Sequence, residues 1–287
     1  MTAASKPGRM GILYAEESGK GLTHPFFAPL LNALKQEAEA HGYDVSFINN
    51  QVITGGGNIP EHCLSQGLDG VCLVCAEFAS PGIRALVKSE IPCVTIDHFF
   101  KGVPSVISDN ETGVQKLVDY AISRGHRRIA FVHGHNNSIV TRSRIQQFLN
   151  TMTYNKLPVP PEYLREGKYH DIELTRQLVG ELLSLPERPT CILLPDDLTY
   201  FGAQDAAREK GLRIPKDISF AGYDGISLGQ ALEPKLTTIR QSCEQLGMTA
   251  AQTLIRLIEA PETVSRMPVV FPVEFLEGGT VGDSVLS

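Results

Sequence analysis

The sequence contains no run of about 18 apolar residues, so nothing in it reads as a membrane-spanning helix. Its start carries Lys6 and Arg9 with no apolar segment ahead of the first strand-like run, which reads as no secretion signal and places the chain in the cytoplasm. A basic excess is missing too: 26 Lys and Arg stand against 32 Asp and Glu, a formal net charge of −6, with no block of basic residues. Nucleic-acid surfaces normally present a basic face, so this chain alone is not expected to grip DNA. The sequence also lacks a Gly-x-Ser-x-Gly elbow, a phosphate-binding P-loop and a set of metal ligands, so no catalysis, metal or cofactor is expected. Gly55-Gly56-Gly57 and Gly125-His126 do not fall between the first strand and the first helix, where a dinucleotide fingerprint belongs, and read as turns.

What is present is an ordinary globular composition, 42% hydrophobic and 20% charged over 287 residues, enough chain for two lobes with separate cores. The six cysteines (Cys63, Cys72, Cys75, Cys93, Cys191, Cys243) sit mostly inside apolar runs such as Val71-Cys72-Leu73-Val74-Cys75, and read as small buried hydrophobes in a reducing compartment. Cys72-x-x-Cys75 has no helix start and no second Cys/His pair nearby, which disfavours a redox or zinc role.

Strand-like and helical stretches alternate throughout, the pattern of a doubly wound parallel α/β fold. Strand 10–15 leads to a helical stripe of Phe26, Phe27, Leu30, Leu31, Leu34 and Ala38, stopped by Gly42. Strands at 45–48, 70–75 and 93–96 follow, separated by helices at 59–66 and 81–89. A second series then runs through helix 111–124, strand 129–133, helix 144–154, a proline-rich connection at 157–161, helix 172–185, strand 190–194, helix 197–210 and strand 218–223. The tail reads as strand 236–239, a long amphipathic helix at 243–259 and one final strand at 269–275. If the chain returns to the first lobe for that helix and ends on the second, three crossovers form a hinge, and ligand groups belong at the carboxyl ends of the strands lining the cleft.

In chain order the sequence also carries His24-Pro25-Phe26-Phe27, Ile96-Asp97, Ser108-Asp109-Asn110-Glu111, Gly125-His126-Arg127-Arg128-Ile129-Ala130, and Arg144 four residues before Phe148. Pro189-Thr190, Asp196-Asp197-Leu198 with Gly202, Gly211-Leu212-Arg213-Ile214-Pro215, Asp217-Ile218-Ser219, Gly222-Tyr223-Asp224 and Leu236-Thr237-Thr238-Ile239-Arg240-Gln241 complete the series. Together they resemble the effector-binding core of the lac repressor and gal repressor (LacI/GalR) family of transcription regulators. The resemblance implies a type I periplasmic-binding-protein-like fold of two parallel-sheet subdomains: an N-terminal one at 9–107 plus 241–268, and a C-terminal one at 108–240 plus 269–279. Residues 1–8 and 280–287 are then flexible termini. Family members usually begin with a helix-turn-helix headpiece of roughly sixty residues, and this sequence starts almost at the core, so operator DNA is expected as a partner only through such a headpiece. A homodimer formed through helices of the N-terminal subdomain is also implied. By the resemblance Asp196 stands where the family usually has Asn, Gln147 where it has Gly, and Tyr200 where Ala is common, so the relatives' ligands are not a guide to the identity of this chain's ligand.

Sugar hydroxyls each give one hydrogen bond and take two, and carboxylates with guanidinium supply both halves. Asp97 and Asp224, just beyond two strand ends, are expected to face the cleft and accept from hydroxyls or an amine. Arg144 offers a fork to vicinal oxygens or to a carboxylate, and its loss is expected to abolish ligand binding without cost to the unliganded fold. Asp196 either meets ligand, with Asp197 capping the next helix, or is itself the cap. Tyr169 lies against an apolar ring face or packs at the hinge, and Gln241 either bridges the lobes or bonds hinge backbone. His24, Phe26 and Phe27 complete the expected ligand set, with one of the two rings going to the core; Pro25 near the helix start costs no amide. His133 and His135 suggest no third metal ligand and read as polar cleft or loop residues. The functional expectation is a sugar-responsive regulator in which closure on the ligand is coupled to operator binding, and the alternative is a stand-alone sugar receptor of periplasmic type. An α/β enzyme using Asp97, Asp196, Asp224 and Arg144 is a third option, against which the absent catalytic motifs count.

Overall fold

The computed structural model describes residues 8–15 and 20–284. In chain order the elements are β1 (Gly8–Tyr14), α1 (Phe27–Ala40), β2 (Tyr43–Phe47), α2 (Asn50–Thr54), α3 (Ile59–Ser65), β3 (Gly70–Cys75), α4 (Pro81–Lys88), β4 (Cys93–Ile96) and β5 (Ser105–Ser108). Then come α5 (Asn110–Ser123), β6 (Ile129–His133), α6 (Ile139–Tyr154), β7 (Leu164–Glu166), α7 (Ile172–Leu182), β8 (Cys191–Leu193), α8 (Tyr200–Glu209), β9 (Ser219–Ala221), α9 (Ser227–Gln230) and β10 (Thr238–Arg240). The chain ends with α10 (Cys243–Glu259), β11 (Val269–Phe271) and β12 (Glu274–Leu276).

These elements fall into two compact units, one comprising the residues to Ser108 with Ser242–Phe271, the other Asp109–Gln241 with the chain from Pro272. The first unit holds a six-stranded sheet in the order β11-β5-β4-β3-β1-β2, every pair parallel. Its inner strands are near-continuous apolar runs because helices cover both faces, and β3 (Gly-Val-Cys-Leu-Val-Cys) is buried almost end to end. One side of the core joins α1 and α10 to the sheet through Leu30, Leu34, Leu246, Ala250 and Leu254. The two helices approach so closely that a Cβ on Gly247 would stand 2.1 Å from the Leu30 carbonyl oxygen, which only glycine allows.

The second unit holds a parallel sheet in the order β7-β6-β8-β9 and an antiparallel pair β10-β12, with a bridge from Ala221 to Thr237 continuing the ladder beyond β9. Side-chain caps mark helix starts where the sequence offers them: Asp109, Ser138 and Asp171 accept from the amides of Thr112, Thr141 and Leu174. Each such cap contributes about 1 kcal/mol.

Three expectations change. The final strand at 269–275 is two strands: Pro272 has no amide hydrogen for a ladder, and the chain breaks there. Val269–Phe271 pairs in parallel with β5 in the first unit, and only Glu274–Leu276 joins β10 in the second. Helix 144–154 begins earlier, at Ile139, because Ser138 caps it, so Arg144 lies in the second turn. Finally, 280–284 is no loose terminus. Thr280 is fully buried, its Oγ1 donates to the Phe220 carbonyl and accepts from the Thr237 amide, and the Ser284 amide bonds the Arg124 carbonyl. The remaining expected terminal residues, 1–7 and 285–287, lie outside the described residues.

Candidate functional site

In the second unit the carboxyl ends of β8 and β9 deliver Pro195-Asp196-Asp197 and Tyr223-Asp224, the placement expected for parallel α/β sheets. Arg144 comes from α6, Tyr169 and His170 from the connection before α7, and Gln241 from just beyond β10. The chain thus brings six of the side chains implicated above, or their immediate neighbours, into one group.

Arg144 is buried, 5% exposed. Its Nε donates to Asn110 Oδ1 at 2.8 Å and its Nη1 to the Pro195 carbonyl at 3.2 Å. The guanidinium carbon lies 3.5 Å from the centroid of the Tyr223 ring and 5.9 Å from that of Tyr169. Tyr223 is itself pressed onto α5: a Cβ on Gly113 would fall 2.2 Å from its hydroxyl oxygen. Tyr169 is half-buried and shares a 2.9 Å hydroxyl contact with Thr141.

The three acids differ. Asp196 is wholly buried; its Oδ2 accepts the His170 amide at 2.7 Å and its Oδ1 the Thr199 amide at 3.0 Å, with His170 Nδ1 3.5 Å away. Burial pushes its pKa up, but the His170 ring and these amides outweigh burial and hold the carboxyl below its ordinary value. Asp196 therefore serves as the cap on the turn into α8, the alternative left open in the sequence. Asp197 is not the cap: its Oδ2 accepts the Ile226 amide at 2.9 Å and its Oδ1 the Thr238 hydroxyl at 2.5 Å, an internal staple. Burial, then the neighbouring Asp224 and Asp196 charges, raise it well above the carboxylate range.

Asp224 adopts φ 109, a conformation costly for a non-glycine residue that the surrounding fold must impose. Its amide bonds the Ile239 carbonyl, and its Oδ1 accepts Gln241 Nε2 at 2.8 Å. Burial and Asp196 push the Asp224 carboxyl up to about 7, against the downward pull of Arg144. Among the described residues Asp224 Oδ2 has no hydrogen-bond partner, and neither has the buried Gln241 Oε1. Each of these two hydrogen-bonded side chains thus keeps one oxygen without a partner among the described residues.

The first unit gathers a different set. Asp97 follows β4 directly at φ 52, and its Oδ1 accepts the Ser108 amide at 3.3 Å. Beside it in sequence, His98 stacks on Phe78 with centroids 4.0 Å apart and planes at 6°, and Phe100 closes on His98 at 4.6 Å. The expected ligand contact His24 plays a different part, since its wholly buried ring turns Nδ1 to accept the amides of Phe26 and Phe27 and so caps α1. Phe26 belongs to the core, while Phe27 is half-buried, edge-on to Tyr14 at 5.3 Å. His133, expected as a polar cleft or loop residue, is buried in β6 with Nδ1 on the Gly134 carbonyl; His135 is exposed beside Glu166.

Sequence reasoning missed Asn110, His170 and the Phe78-His98-Phe100 stack. Asn110 could have been found, since Asp109 already caps the helix and leaves the next amide side chain to another purpose. His170 and Phe78 carry no local signal, because their partners come from distant chain. Among the described residues no group of His, Cys, Asp and Glu could hold a metal, and no helix is long and apolar enough to cross a membrane.

Comparison with known proteins agrees with this architecture. The family of periplasmic binding proteins and sugar binding domain of LacI family matches residues 8–277. The probable HTH-type transcriptional repressor ExuR of Bacillus subtilis (strain 168) is 28% identical over 266 residues, covering 91% of this chain and 77% of that protein. The HTH-type transcriptional repressor PurR of Haemophilus influenzae (strain PittEE) is 30% identical over 243 residues, 82% of this chain and 70% of that one. The crystal structure of a putative transcriptional regulator LacI from Bacillus cereus subsp. cytotoxis NVH 391-98 superposes with a TM-score of 0.88 at 25% identity, covering 97% and 99% of the two chains. These relatives are regulators rather than enzymes. The chain belongs to the family of periplasmic binding proteins and LacI-type sugar-binding domains, with its type I periplasmic-binding-protein-like fold of parallel α/β units.

Proposed function

We propose that this chain is the effector-binding part of a LacI-family transcriptional regulator and that its effector is a sugar. The observation that carries this reading is the pair of open acceptors, Asp224 Oδ2 and buried Gln241 Oε1, backed by Arg144, Asp196 and Tyr223. A buried polar atom without a partner, as Gln241 Oε1 is, is costly, and a hydroxylated ligand that donates to it removes that cost. Within the first unit, Asp97 supplies a carboxylate suited to hydroxyls, and Phe27 with the Phe78-His98 stack supplies ring faces of the kind that pack on a sugar.

An effector that binds one conformation of the chain more tightly than others shifts the chain toward it. The coupling it transmits equals its difference in affinity between those conformations: a tenfold preference corresponds to about 1.4 kcal/mol, within reach of one or two charge-assisted hydrogen bonds. Operator DNA is then reached through a helix-turn-helix headpiece, and a cytoplasmic homodimer built on the first unit's helices is the proposed working form. The names of the repressor relatives favour the regulator over a stand-alone receptor.

The experiment is a thermal-shift screen over mono- and disaccharides, nucleosides and phosphosugars. At about 100 times its Kd a ligand stabilises by about 2.7 kcal/mol, several degrees for a chain of this size. Stabilisation by a saccharide supports the reading; stabilisation by nucleosides alone, or steady turnover of a bound sugar, removes it.

A further inference from the structure

Parallel pairing brings the amino ends of β6, β8 and β9 into line, with Ile129, Cys191 and Ser219 in register. The segment 280–284 closes over that edge. Thr280 bonds Phe220 and Thr237, the Gly282 amide donates to Ser219 Oγ, and the Ser284 amide donates to the Arg124 carbonyl. His126, from the turn between α5 and β6, lies against the segment at 2% exposure, with Nε2 3.1 Å from the Gly282 carbonyl and Nδ1 2.8 Å from Thr190 Oγ1. We propose that His126 is a proton-sensitive fastening for the end of the chain: the neutral ring holds residues 280–284 on the sheet edge, and uptake of a proton favours their release. This goes beyond the effector-binding reading and does not depend on it.

A carbonyl only accepts, so the neutral ring carries its hydrogen on Nε2 and leaves a lone pair on Nδ1 for the Thr190 hydroxyl. That hydroxyl has a second acceptor within reach, the Arg128 carbonyl at 3.3 Å. When Nδ1 gains a proton, Thr190 turns its hydrogen to Arg128 and accepts from the ring instead. Protonation of the docked ring therefore breaks no hydrogen bond, and its cost is electrostatic. The charged groups facing the ring are Arg124 just beyond α5, Arg127 in the ring's own turn and Asp283 in the segment, while the turn before β8 meets it with the uncharged Thr190. Burial and the two arginines disfavour the imidazolium, and the Gly282 carbonyl and Asp283 favour it. Burial prevails and holds the ring below its ordinary value of 6.5. The Asp283 carboxylate is 81% exposed, so water weakens its share.

Release of the segment opens Nε2 to water and lets the ring return toward its ordinary value. The docked form thus binds a proton more weakly than the released form, so docking is firmest above about pH 6.5 and weakens as pH falls below it. Asp197 and Asp224 of the same unit are raised by burial and favour folding as pH falls, so acid loosens the segment against the trend of the unit's core. Thr280 ties β9 to the stretch leading into β10, and these run on to Asp224 and Gln241, so the fastening bears on the strands that carry the candidate site.

The test is amide hydrogen exchange of the whole chain, resolved by residue with NMR at pH 7.5 and 5.5, each rate taken relative to that of an unstructured amide at the same pH. Protection at Phe220 and Ser284, relative to Leu73 in β3, is expected to fall at least about threefold between the two. About tenfold is the ceiling for a group of ordinary pKa 6.5 carried one unit below it. His126→Gln keeps an amide donor for the Gly282 carbonyl and takes up no proton in this range; folded by circular dichroism, it is expected to lose the pH dependence. Unchanged relative protection in the wild type overturns the proposal whatever the variant does. A folded variant that keeps the wild-type pH dependence overturns it equally, and assigns the proton to another group such as His133, buried in β6. Titration of the His126 ring carbons in the wild type gives a reading that needs no variant: a midpoint at or above 6.5 overturns the proposal, and one below it supports it.

Discussion

The Arg144 guanidinium stacks on the Tyr223 ring with its carbon 3.5 Å from the ring centroid, so a residue expected to reach for ligand is also built into the interior of the second unit. Removing it leaves Asn110 Oδ1 and the Pro195 carbonyl short of donors and opens space over the ring. Arg144→Ala is therefore expected to lower the stability of the unliganded protein by about 2–4 kcal/mol, in contrast to the sequence-based expectation of no cost. Chemical denaturation of wild type and variant measures this; an unchanged midpoint contradicts the packing described.

Gly113 tests the other side of the same ring. Replacing a glycine inside a helix by alanine normally stabilises by about 0.5–1 kcal/mol. Here the new methyl falls 2.2 Å from the Tyr223 hydroxyl oxygen, with Arg144 above the ring to resist its retreat. Gly113→Ala is expected to lower the melting temperature and weaken ligand binding together, and a rise in melting temperature would show that the ring is free to move.

Much of this architecture was legible in the sequence, and for a physical reason. Parallel strands covered on both faces must be apolar throughout, and the helices between them must be amphipathic, so Val71–Val74 and the Leu30, Leu34, Ala38 stripe identify themselves. The split at Pro272 was readable in principle, since proline interrupts a ladder wherever it stands. The partner of Val269–Phe271 was not readable, because three apolar residues fit the edge of either sheet. At the site, Asp97 and Asp224 follow strand ends and were placed by topology alone. The exchange of roles between Asp196 and Asp197 depends on the Ile226, Thr238 and His170 groups that reach them, and these come from 26 to 41 residues away. His24 looked like a ligand contact for the same reason: nothing local shows that its ring turns back onto the amides of Phe26 and Phe27.

The Asp224 carboxyl gives pH a definite sign. Its folded value of about 7 lies above the ordinary 3.8, so the folded chain holds a proton that the unfolded chain gives up earlier. Its contribution favours folding most below the unfolded value and diminishes as pH rises from about 4 to 7, by on the order of a few kcal/mol. Asp197, raised in the same way, acts in the same direction. Ligand donors favour the ionised form, so sugar affinity is expected to rise about tenfold from roughly pH 6 to 8 while unliganded stability falls. Titrations at several pH values on wild type and Asp224→Asn check both trends; a folded variant that keeps the wild-type slope assigns the proton elsewhere.

The terminal segment gives a stability prediction independent of the site. Thr280 is fully buried and joined to Phe220 and Thr237, the Gly282 amide donates to Ser219 Oγ, and His126 Nε2 meets the Gly282 carbonyl. Truncation after Gly279 is expected to cost about 2–3 kcal/mol and to speed amide exchange in β9. Unchanged exchange at Phe220, whose amide bonds the Thr280 carbonyl, would contradict that arrangement.

The most direct test of sugar binding at the open acceptors is a crystal structure of the chain with the saccharide that stabilises it most. Sugar hydroxyl or amino groups are predicted within about 3.2 Å of both Asp224 Oδ2 and Gln241 Oε1. A saccharide bound at another surface, with those two acceptors untouched, would contradict it.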